Sequence, residues 1–120
     1  MSFFERYFAA LDGPEPLTSL ELVSDDVRFA IFWAAGTDRG SGQYLGGRAE
    51  LQEFIEVGDT RGWAHYVTRI AHADDGTEFV VGETRRDDGS RIATFLAAAE
   101  LDADGRMFRY LVARTPGLEF

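Results

Sequence analysis

The sequence predicts a single α+β domain in which helices precede a long antiparallel meander. In the first third of the chain, apolar residues recur at three- and four-residue spacing, as on an amphipathic helix. In the second half, three Asp-Gly pairs separate four segments rich in β-branched and aromatic residues, a strong hairpin signal. Helices followed by a run of strands are typical of the α+β class, and 120 residues fit one domain over 1–120.

Two helices and one strand are predicted before the first glycine-rich stretch. The first helix ends at Gly13-Pro14, a pair that stops helices, and its apolar residues are Phe3, Phe4, Tyr7, Phe8 and Leu11. A short second helix is predicted over about 14–23. The turn residues Ser24-Asp25-Asp26 then lead into a predicted strand over 27–35.

The rest of the chain reads as a loop, a helix and four strands. Glycines dominate residues 36–47, which lack the Gly-Lys-Ser/Thr step of a phosphate-binding loop, so we predict a plain loop there. A helix is predicted over 47–58. The four strands are predicted over 63–73, 77–87, 91–101 and 107–115.

If each Asp-Gly forms a two-residue turn, counting outward gives the register of each hairpin. His65 then lies opposite Arg86, Arg69 opposite Gly82, and Gly82 opposite Phe95. Directly opposed residues share a face of the sheet, so the turns predict one inner surface. This surface comprises Trp63, His65, Val67, Arg69, Val80, Gly82, Thr84, Phe95, Ala97, Ala99, Tyr110 and Val112.

Large aromatic side chains alternate with Gly and Ala on this inner surface, an arrangement that leaves empty space on a curved sheet. A few polar groups among apolar ones are typical of ligand pockets, so we predict a pocket for a small apolar molecule. The same count places His72 and Glu83 on the outer face, which carries several large apolar residues. A second copy of the chain would cover that outer face, and we predict a homodimer through it.

Composition limits the partners. The chain has no cysteine, which excludes disulfides and thiolate metal sites, and its formal net charge of −9 disfavours nucleic acid and anionic membranes. No stretch reaches transmembrane length, and charges near Met1 interrupt the apolar run that a signal peptide needs. We therefore expect a cytoplasmic protein without nucleic-acid or membrane partners.

Four short motifs resemble those of the NTF2-like superfamily, which includes SnoaL-like and ketosteroid-isomerase-like domains. They are Glu5-Arg6-Tyr7-Phe8-Ala9-Ala10-Leu11, Val23-Ser24-Asp25-Asp26-Val27-Arg28-Phe29, the stretch from Tyr44 to Phe54, and Leu101-Asp102-Ala103-Asp104-Gly105-Arg106-Met107. The resemblance covers essentially the whole chain. It implies a cone-shaped curved antiparallel sheet packed against N-terminal helices (the cystatin-like or NTF2-like architecture), and it does not imply one activity.

The resemblance also implies that this chain is not a ketosteroid isomerase. Those enzymes use a helix-1 tyrosine and a protonated aspartate as an oxyanion hole and a second aspartate as the base. Tyr7 falls at the tyrosine position. The base position falls at Ile31, or at Ala30 or Phe32 if the alignment slips by one residue, and the acid position falls at Ala97 or Ala98. Without a carboxylate base, that isomerisation has no route.

His65 is the first candidate for acid–base chemistry, because SnoaL-like proteins often carry a histidine there and imidazole titrates near neutrality. A hydrogen-bonded core histidine is the competing interpretation. Tyr7 and Arg69 are candidates for stabilising a negative oxygen, against core packing for Tyr7 and an ion pair for Arg69. The predicted ligand-binding residues are Phe29, Ile31, Trp33, Tyr44, Phe54, Trp63, Val67, Thr84, Phe95, Ala97 and Tyr110.

Three functions stay open on the sequence alone. The first is an isomerase, cyclase, dehydratase or hydrolase that needs no cofactor and acts on an apolar metabolite. The second is a binding protein without catalysis, and the third is an interaction module that acts through the outer sheet face. The two histidines are predicted on opposite faces and no carboxylate cluster is present, so no metal site is expected.

Overall fold

The computed structural model describes residues 1–34, 42–58 and 62–119. These residues form two α-helices, one 3-10 helix and six strands, which confirms the α+β class. The elements are α1 (Phe3–Leu11), a 3-10 helix (Pro16–Leu22), β1 (Val23–Trp33), β2 (Gly42–Gly46), α2 (Arg48–Val57), β3 (Trp63–His72), β4 (Glu78–Arg86), β5 (Arg91–Leu101) and β6 (Met107–Thr115).

The six strands form one sheet in the order β2-β1-β6-β5-β4-β3. The meander β3 to β6 is antiparallel as predicted, but β1 pairs in parallel with β6, so the sheet is mixed. Strand β2 pairs with β1 in a stretch predicted to be a loop, and that prediction is wrong for residues 42–46. Residues 36–41 of the predicted loop lie outside the described part of the chain.

The three Asp-Gly pairs end three-residue turns and not the two-residue turns that the register count assumed. In the first turn, the backbone N–H of Ala73 donates to the carbonyl oxygen of Thr77 across the three intervening residues. The other two turns close in the same way, between Arg86 and Ser90 and between Asp102 and Arg106. The last residue of each turn has a left-handed backbone that suits glycine, with φ of +89° at Gly76, +88° at Gly89 and +78° at Gly105.

Bulges restore the predicted register in the second and third hairpins. Each longer turn shifts the pairing by one residue, and a bulge between Thr84 and Arg85, or between Glu100 and Leu101, shifts it back. The pairs Gly82–Phe95 and Ala97–Val112 therefore occur as predicted. Gly82 is required there, because an added Cβ would lie 2.4 Å from Phe95 Cζ.

In the first hairpin, the observed pairing differs from the predicted register by two residues up to Val67 and by one residue from Arg69 onward. His65 pairs with Thr84 instead of Arg86, a shift of two that leaves it on the inner face. A bulge between Val67 and Arg69 changes the offset to one beyond that point, so Arg69 pairs with Val81 and not with Gly82. The prediction that Arg69 lies on the inner face is therefore wrong, and its side chain is exposed.

Because of the same bulge, His72 lies on the inner face of the sheet and not on the predicted outer face. It pairs with Glu78, whose side chain is buried under α1, and the two side chains meet at 2.8 Å between His72 Nε2 and Glu78 Oε1. Both histidines thus lie on the helix side of the sheet, and the prediction of opposite faces is wrong. No local sequence signal marks the bulge that causes the change.

The helices cover one face of the sheet and form the core with it. Tyr7 and Phe4 of α1 pack against Tyr110 of β6, with ring centroids 5.5 and 5.9 Å apart. Phe54 of α2 stacks on Trp33 of β1 at 5.1 Å. The two helices therefore lie over the same inner surface and leave a gap between them that residues of β1, β3 and β6 also line.

Candidate functional site

A narrow cavity lies in the gap between α1, α2 and the inner face of the sheet. The empty space between its lining atoms, including the open mouth, is about 530 Å³, of which the centre of a water molecule can reach about 50 Å³. The lining residues are Tyr7, Leu11, Ile31, Trp33, Leu51, Phe54, Ile55, Gly58, Trp63, His65, Tyr110, Val112 and Arg114. Among these described residues there is no Asp or Glu, so the polar groups are imidazole, phenol, indole and guanidinium.

Asp12 and His65 form a hydrogen-bonded pair at the edge of this cavity. Asp12 Oδ1 lies 2.9 Å from His65 Nδ1, and Asp12 Oδ2 accepts the backbone N–H of His65 at 2.8 Å. Because an ionised carboxylate only accepts hydrogen bonds, this contact places the ring proton on Nδ1 of the neutral imidazole. Nε2 then carries the lone pair, and the side chain of His65 is only 10% exposed.

Aromatic side chains hold the imidazole of His65 in its plane. Phe8 of α1 stacks on it with centroids 4.3 Å apart and an interplanar angle of 5°. Trp63 and Phe95 contact it edge to face at 5.0 and 5.6 Å. Together with Asp12, these rings restrict the rotation of the imidazole, which is the condition for a positioned acid or base.

Arg114 is a buried cation on the same inner surface, and its residue is 6% exposed. Its Nη2 donates to Thr84 Oγ1 at 3.0 Å, and Thr84 is the residue that pairs with His65 across β3 and β4. The guanidinium carbon lies over the indole of Trp33 at 4.8 Å and over that of Trp63 at 5.1 Å. Thr84 therefore holds Arg114 on the strand position next to His65.

Two buried tyrosines complete the polar lining. Burial raises the pKa of Tyr7 well above its ordinary value of 10, and the neighbouring Ser19 hydroxyl acts in the opposite direction. Burial also raises the pKa of Tyr110, and Tyr7 adds to that increase. Both phenols therefore stay protonated at neutral pH and can donate an O–H hydrogen bond.

The cavity brings together some of the residues predicted from the sequence and not others. Those that line it are Tyr7, Ile31, Trp33, Phe54, Trp63, His65 and Tyr110. The predicted residues Phe29, Tyr44, Val67, Thr84, Phe95 and Ala97 do not line it. Of these, Tyr44 packs on Trp33, Phe95 packs on His65, and Thr84 holds Arg114. Arg69 lies on the outer face, away from the cavity.

Sequence reasoning missed the two residues that give the site its charge. Arg114 continues the alternation of Tyr110 and Val112, so the period of two in β6 could have placed it on the inner face. Asp12 carried no such signal. Asp12 directly precedes Gly13-Pro14, a position where the end of the helix is enough to explain an aspartate. Its partner His65 is 53 residues away in the sequence.

The residues that the structure describes contain no group of three or more His, Asp or Glu side chains arranged to hold a metal ion. His65 contacts Asp12, and aromatic rings contact the imidazole.

No protein-family model matches the sequence, and no curated protein matches it. Solved structures do match in fold. A candidate isomerase of the SnoaL-like family from Agrobacterium tumefaciens is 13% identical, with a TM-score of 0.72, and 93% of each chain is covered. An NTF2-like protein of unknown function from an Exiguobacterium species is 17% identical, with a TM-score of 0.62, covering 94% of this chain and 98% of that one.

The chain has the NTF2-like fold. The structure of SalBIII, an epoxide hydrolase/cyclase-like enzyme with a role in pyran ring formation in the polyether salinomycin, agrees with this assignment. It is 13% identical, with a TM-score of 0.70, and the match covers 93% of this chain and 87% of that one. At such identities the similarity establishes the NTF2-like fold and leaves the activity to be argued from the site.

The outer face of the NTF2-like sheet is strongly apolar. The register places two adjacent rows there: Ala71, Phe79, Ala98, Leu111, Ala30 and Leu45 in one, and Arg69, Val81, Leu96, Ala113, Phe32 and Gln43 in the other. Leu111 is 60% exposed and Leu96 is 49% exposed. Within the described ranges, no helix has the length and apolar character needed to cross a membrane.

Proposed function

We propose that the protein binds a small, largely apolar metabolite in the cavity and transforms it by proton transfer at His65, without a cofactor. The observation that carries this proposal is the contact between Asp12 and His65, because it fixes an imidazole in one tautomer beside an apolar cavity. Isomerisation, cyclisation, dehydration and hydrolysis all need such a transfer. Fold neighbours named as a candidate isomerase and as an epoxide hydrolase/cyclase-like enzyme support this range of reactions.

In this proposal, Nε2 of His65 takes a proton from the carbon next to a carbonyl group of the ligand. The Nδ1–H stays hydrogen-bonded to Asp12, whose negative charge stabilises the imidazolium that forms. The electron pair of the broken C–H bond forms a C=C bond to the carbonyl carbon, and the π electrons of the C=O bond move onto the oxygen, which gives an enolate. The phenol of Tyr7 or Tyr110 can donate its O–H to that oxygen, because both remain protonated.

Proton exchange on a model ketone tests the proposed chemistry. 2-Tetralone is a flat apolar ring ketone with acidic protons beside its carbonyl group. We expect the protein to exchange these protons in D₂O faster than buffer does, as followed by proton NMR. His65→Asn should lower the rate by about a hundredfold or more, since a positioned general base contributes about 10²–10⁴.

The same experiment separates catalysis from binding alone. A binding protein without catalysis is the second candidate, and the narrowness of the cavity and the absence of a carboxylate from its described lining favour it. If calorimetry shows that 2-tetralone binds while exchange stays at the buffer rate, the second candidate replaces the first. If the ketone neither binds nor exchanges, the proposed ligand cavity itself is refuted.

We also propose that a second copy of this chain covers the outer sheet face. The chain carries 21 acidic residues, yet the two apolar outer rows contain none. Charges of both signs flank these rows, with Glu100 and Arg109 at one end and Glu83 and Arg85 at the other. Such a surface is self-complementary about a two-fold axis. The cytoplasmic location and the single domain over 1–120 stay predictions.

A further inference from the structure

We propose that Phe8 is a positioning residue for His65, because its ring covers one face of the imidazole and stabilises the imidazolium that proton transfer creates. This inference deepens the proposed function and rests on the proton transfer at Nε2 of His65. It adds a second group, besides Asp12, that favours the protonated ring. The sequence gives Phe8 no role beyond that of an apolar residue in a helix.

Phe8 and His65 form a face-to-face stack within the core. Their rings are nearly parallel, with an interplanar angle of 5° and centroids 4.3 Å apart. At this distance the two ring faces are in contact and leave no room for a water molecule between them. Phe8 is 4% exposed, and the side chain of His65 is almost as well shielded, so water contributes little at this contact.

Helix α1 supplies both the stacking ring and the carboxylate that contacts the imidazole. Phe8 lies four residues before Asp12, which caps the C-terminal end of the helix, and this spacing places two side chains on the same side. Phe4, four residues earlier, stacks on Phe8 with centroids 5.3 Å apart and an interplanar angle of 20°. One stripe of α1 therefore holds the phenyl ring against the imidazole.

Asp12 and Phe8 favour the imidazolium from two different directions. The carboxylate of Asp12 contacts Nδ1 and acts at the edge of the ring. The face of a phenyl ring carries partial negative charge and attracts a cation placed against it. Removal from water disfavours a charged imidazole, and these two contacts offset part of that cost. A base whose charged form is stabilised in this way takes a proton from carbon more readily.

Other groups near His65 also influence its charge. Those that are charged or titratable are Asp12 and Tyr7, from α1 and its C-terminal cap, and Tyr110 and Arg114 from β6. From β3, β4 and β5 the neighbours are Trp63, Thr84 and Phe95, which do not titrate. All of these groups stay in place when only the electrons of the Phe8 ring are altered. A change in the titration of His65 then reports the ring itself.

Graded fluorination of Phe8 tests the inference without changing the shape of the side chain. Fluorine atoms withdraw electrons from the ring and remove the negative charge from its face, while the ring size changes little. Site-specific incorporation gives proteins with one, three or five fluorine atoms on Phe8. NMR of the imidazole then gives the pH at which His65 is half-protonated. We expect this pH to fall with each step, and by about half a unit or more with five fluorine atoms.

The exchange of 2-tetralone protons gives the second readout. At pH 8 the rate should be lower by about twofold or more in the pentafluorinated protein, because a weaker base removes a proton from carbon more slowly. Phe8→Leu, which keeps an apolar side chain and removes the π face, should lower the half-protonation pH and the rate in the same direction. Circular dichroism checks its folding, and the fluorinated series decides the question even if Phe8→Leu does not fold.

Pentafluorination of Phe3 is the matched control. Phe3 lies on the same helix, is 4% exposed like Phe8, and packs on Phe4 and Tyr7. Its fluorination should leave the half-protonation pH of His65 unchanged. An equal decrease at both positions would show a general effect of fluorine in the core and would overturn the role of Phe8.

The outcomes distinguish this inference from the function on which it rests. A half-protonation pH that stays the same across the fluorinated series would overturn the stabilisation by Phe8 and leave the proton transfer standing. A lower half-protonation pH with an undiminished exchange rate would overturn its role in that transfer. A wild-type protein that does not exchange 2-tetralone would contradict the proposed function, and a fall in half-protonation pH with fluorination would then support the stabilised imidazolium alone.

Discussion

Asp12 Oδ1 lies 2.9 Å from His65 Nδ1, and the same carboxylate accepts the backbone N–H of His65 through Oδ2 at 2.8 Å. The end of α1 and the start of β3 are thereby joined by one side chain. This contact fixes both the position of the strand and the tautomer of the imidazole. The proposed function depends on it more than on any other pair of residues.

Replacing Asp12 by Asn should impair proton transfer while leaving His65 in place. An Asn side chain can offer its amide group to Nδ1 and so favour the wrong tautomer, with the proton on Nε2. We expect the exchange rate of 2-tetralone to fall by about a hundredfold or more. Nitrogen NMR of the imidazole should show the change of tautomer directly. Asp104→Asn, in an exposed turn, should change neither quantity, and a D12N protein with the wild-type rate would contradict the assigned role of Asp12.

The buried phenols should make the protein sensitive to alkaline pH. All twelve basic residues counted as Lys or Arg are arginines and there is no cysteine, so tyrosine is the side-chain type of this chain whose ordinary pKa, about 10, lies in the alkaline range. Burial raises the pKa of Tyr7 and of Tyr110 in the folded state, so above pH 10 the folded protein binds more protons than the unfolded chain. Stability is therefore complete below pH 10 and falls as the pH rises further.

Urea unfolding between pH 7 and pH 11 measures this effect. The free energy of unfolding of the wild-type protein should be level up to about pH 9 and then decrease. Tyr7→Phe should be less stable at pH 7, where it loses its hydroxyl contact, but should show a shallower decrease at high pH. A slope that is identical in the wild-type and variant proteins would contradict the burial of the Tyr7 phenol.

Glu78 should contribute strongly to stability through the start of α1. Its Oε2 accepts the N–H of Phe4 at 2.8 Å and its Oε1 accepts the N–H of Phe3 at 3.2 Å, while His72 contacts Oε1. Glu78→Gln removes one acceptor and the charge from a side chain that is almost fully buried, so we expect a loss of about 1–3 kcal/mol in urea unfolding. Glu100→Gln is the control, because its exposed pair with Arg109 should contribute less than about 1 kcal/mol. Equal losses in the two variants would refute the capping role.

A charge in the middle of the outer face should break the proposed dimer. Leu111→Glu places a carboxylate within the acid-free rows, where a dimer would bury it without a partner. We expect the dimer dissociation constant to rise by about a hundredfold or more in sedimentation experiments. Val57→Glu is the matched control, since Val57 is 72% exposed on α2, away from that face. A wild-type protein that is monomeric at about 50 μM would contradict the dimer itself.

The sequence predicted the register of two hairpins correctly because two deviations cancelled. Each Asp-Gly ends a turn one residue longer than assumed, and a bulge in the following ladder returns Gly82 to Phe95 and Ala97 to Val112. In the first hairpin, the observed register differs from the predicted one by two residues at His65, and the bulge reduces this difference to one residue at Arg69. A pattern of alternating residues can assign faces, but it cannot locate a bulge, since the bulge depends on packing across the sheet.

For the candidate site too, the sequence predicts features that depend on one strand and does not predict contacts between residues far apart in the chain. His65, Trp33 and Trp63 follow from alternation within their own strands, and Arg114 could have followed from it. The contacts of Asp12 with His65 and of Arg114 with Thr84 could not be predicted in this way, because each joins elements that only the complete fold brings together. The chemistry of the cavity depends on these distant contacts.

A crystal structure of the protein grown with 2-tetralone tests the central claim most directly. The account predicts that the ketone lies in the cavity between α1, α2 and the sheet, with the carbon next to its carbonyl group within about 3.5 Å of His65 Nε2. A ketone bound only on the outer face, or an imidazole whose Nδ1 faces the ligand instead of Asp12, would contradict it.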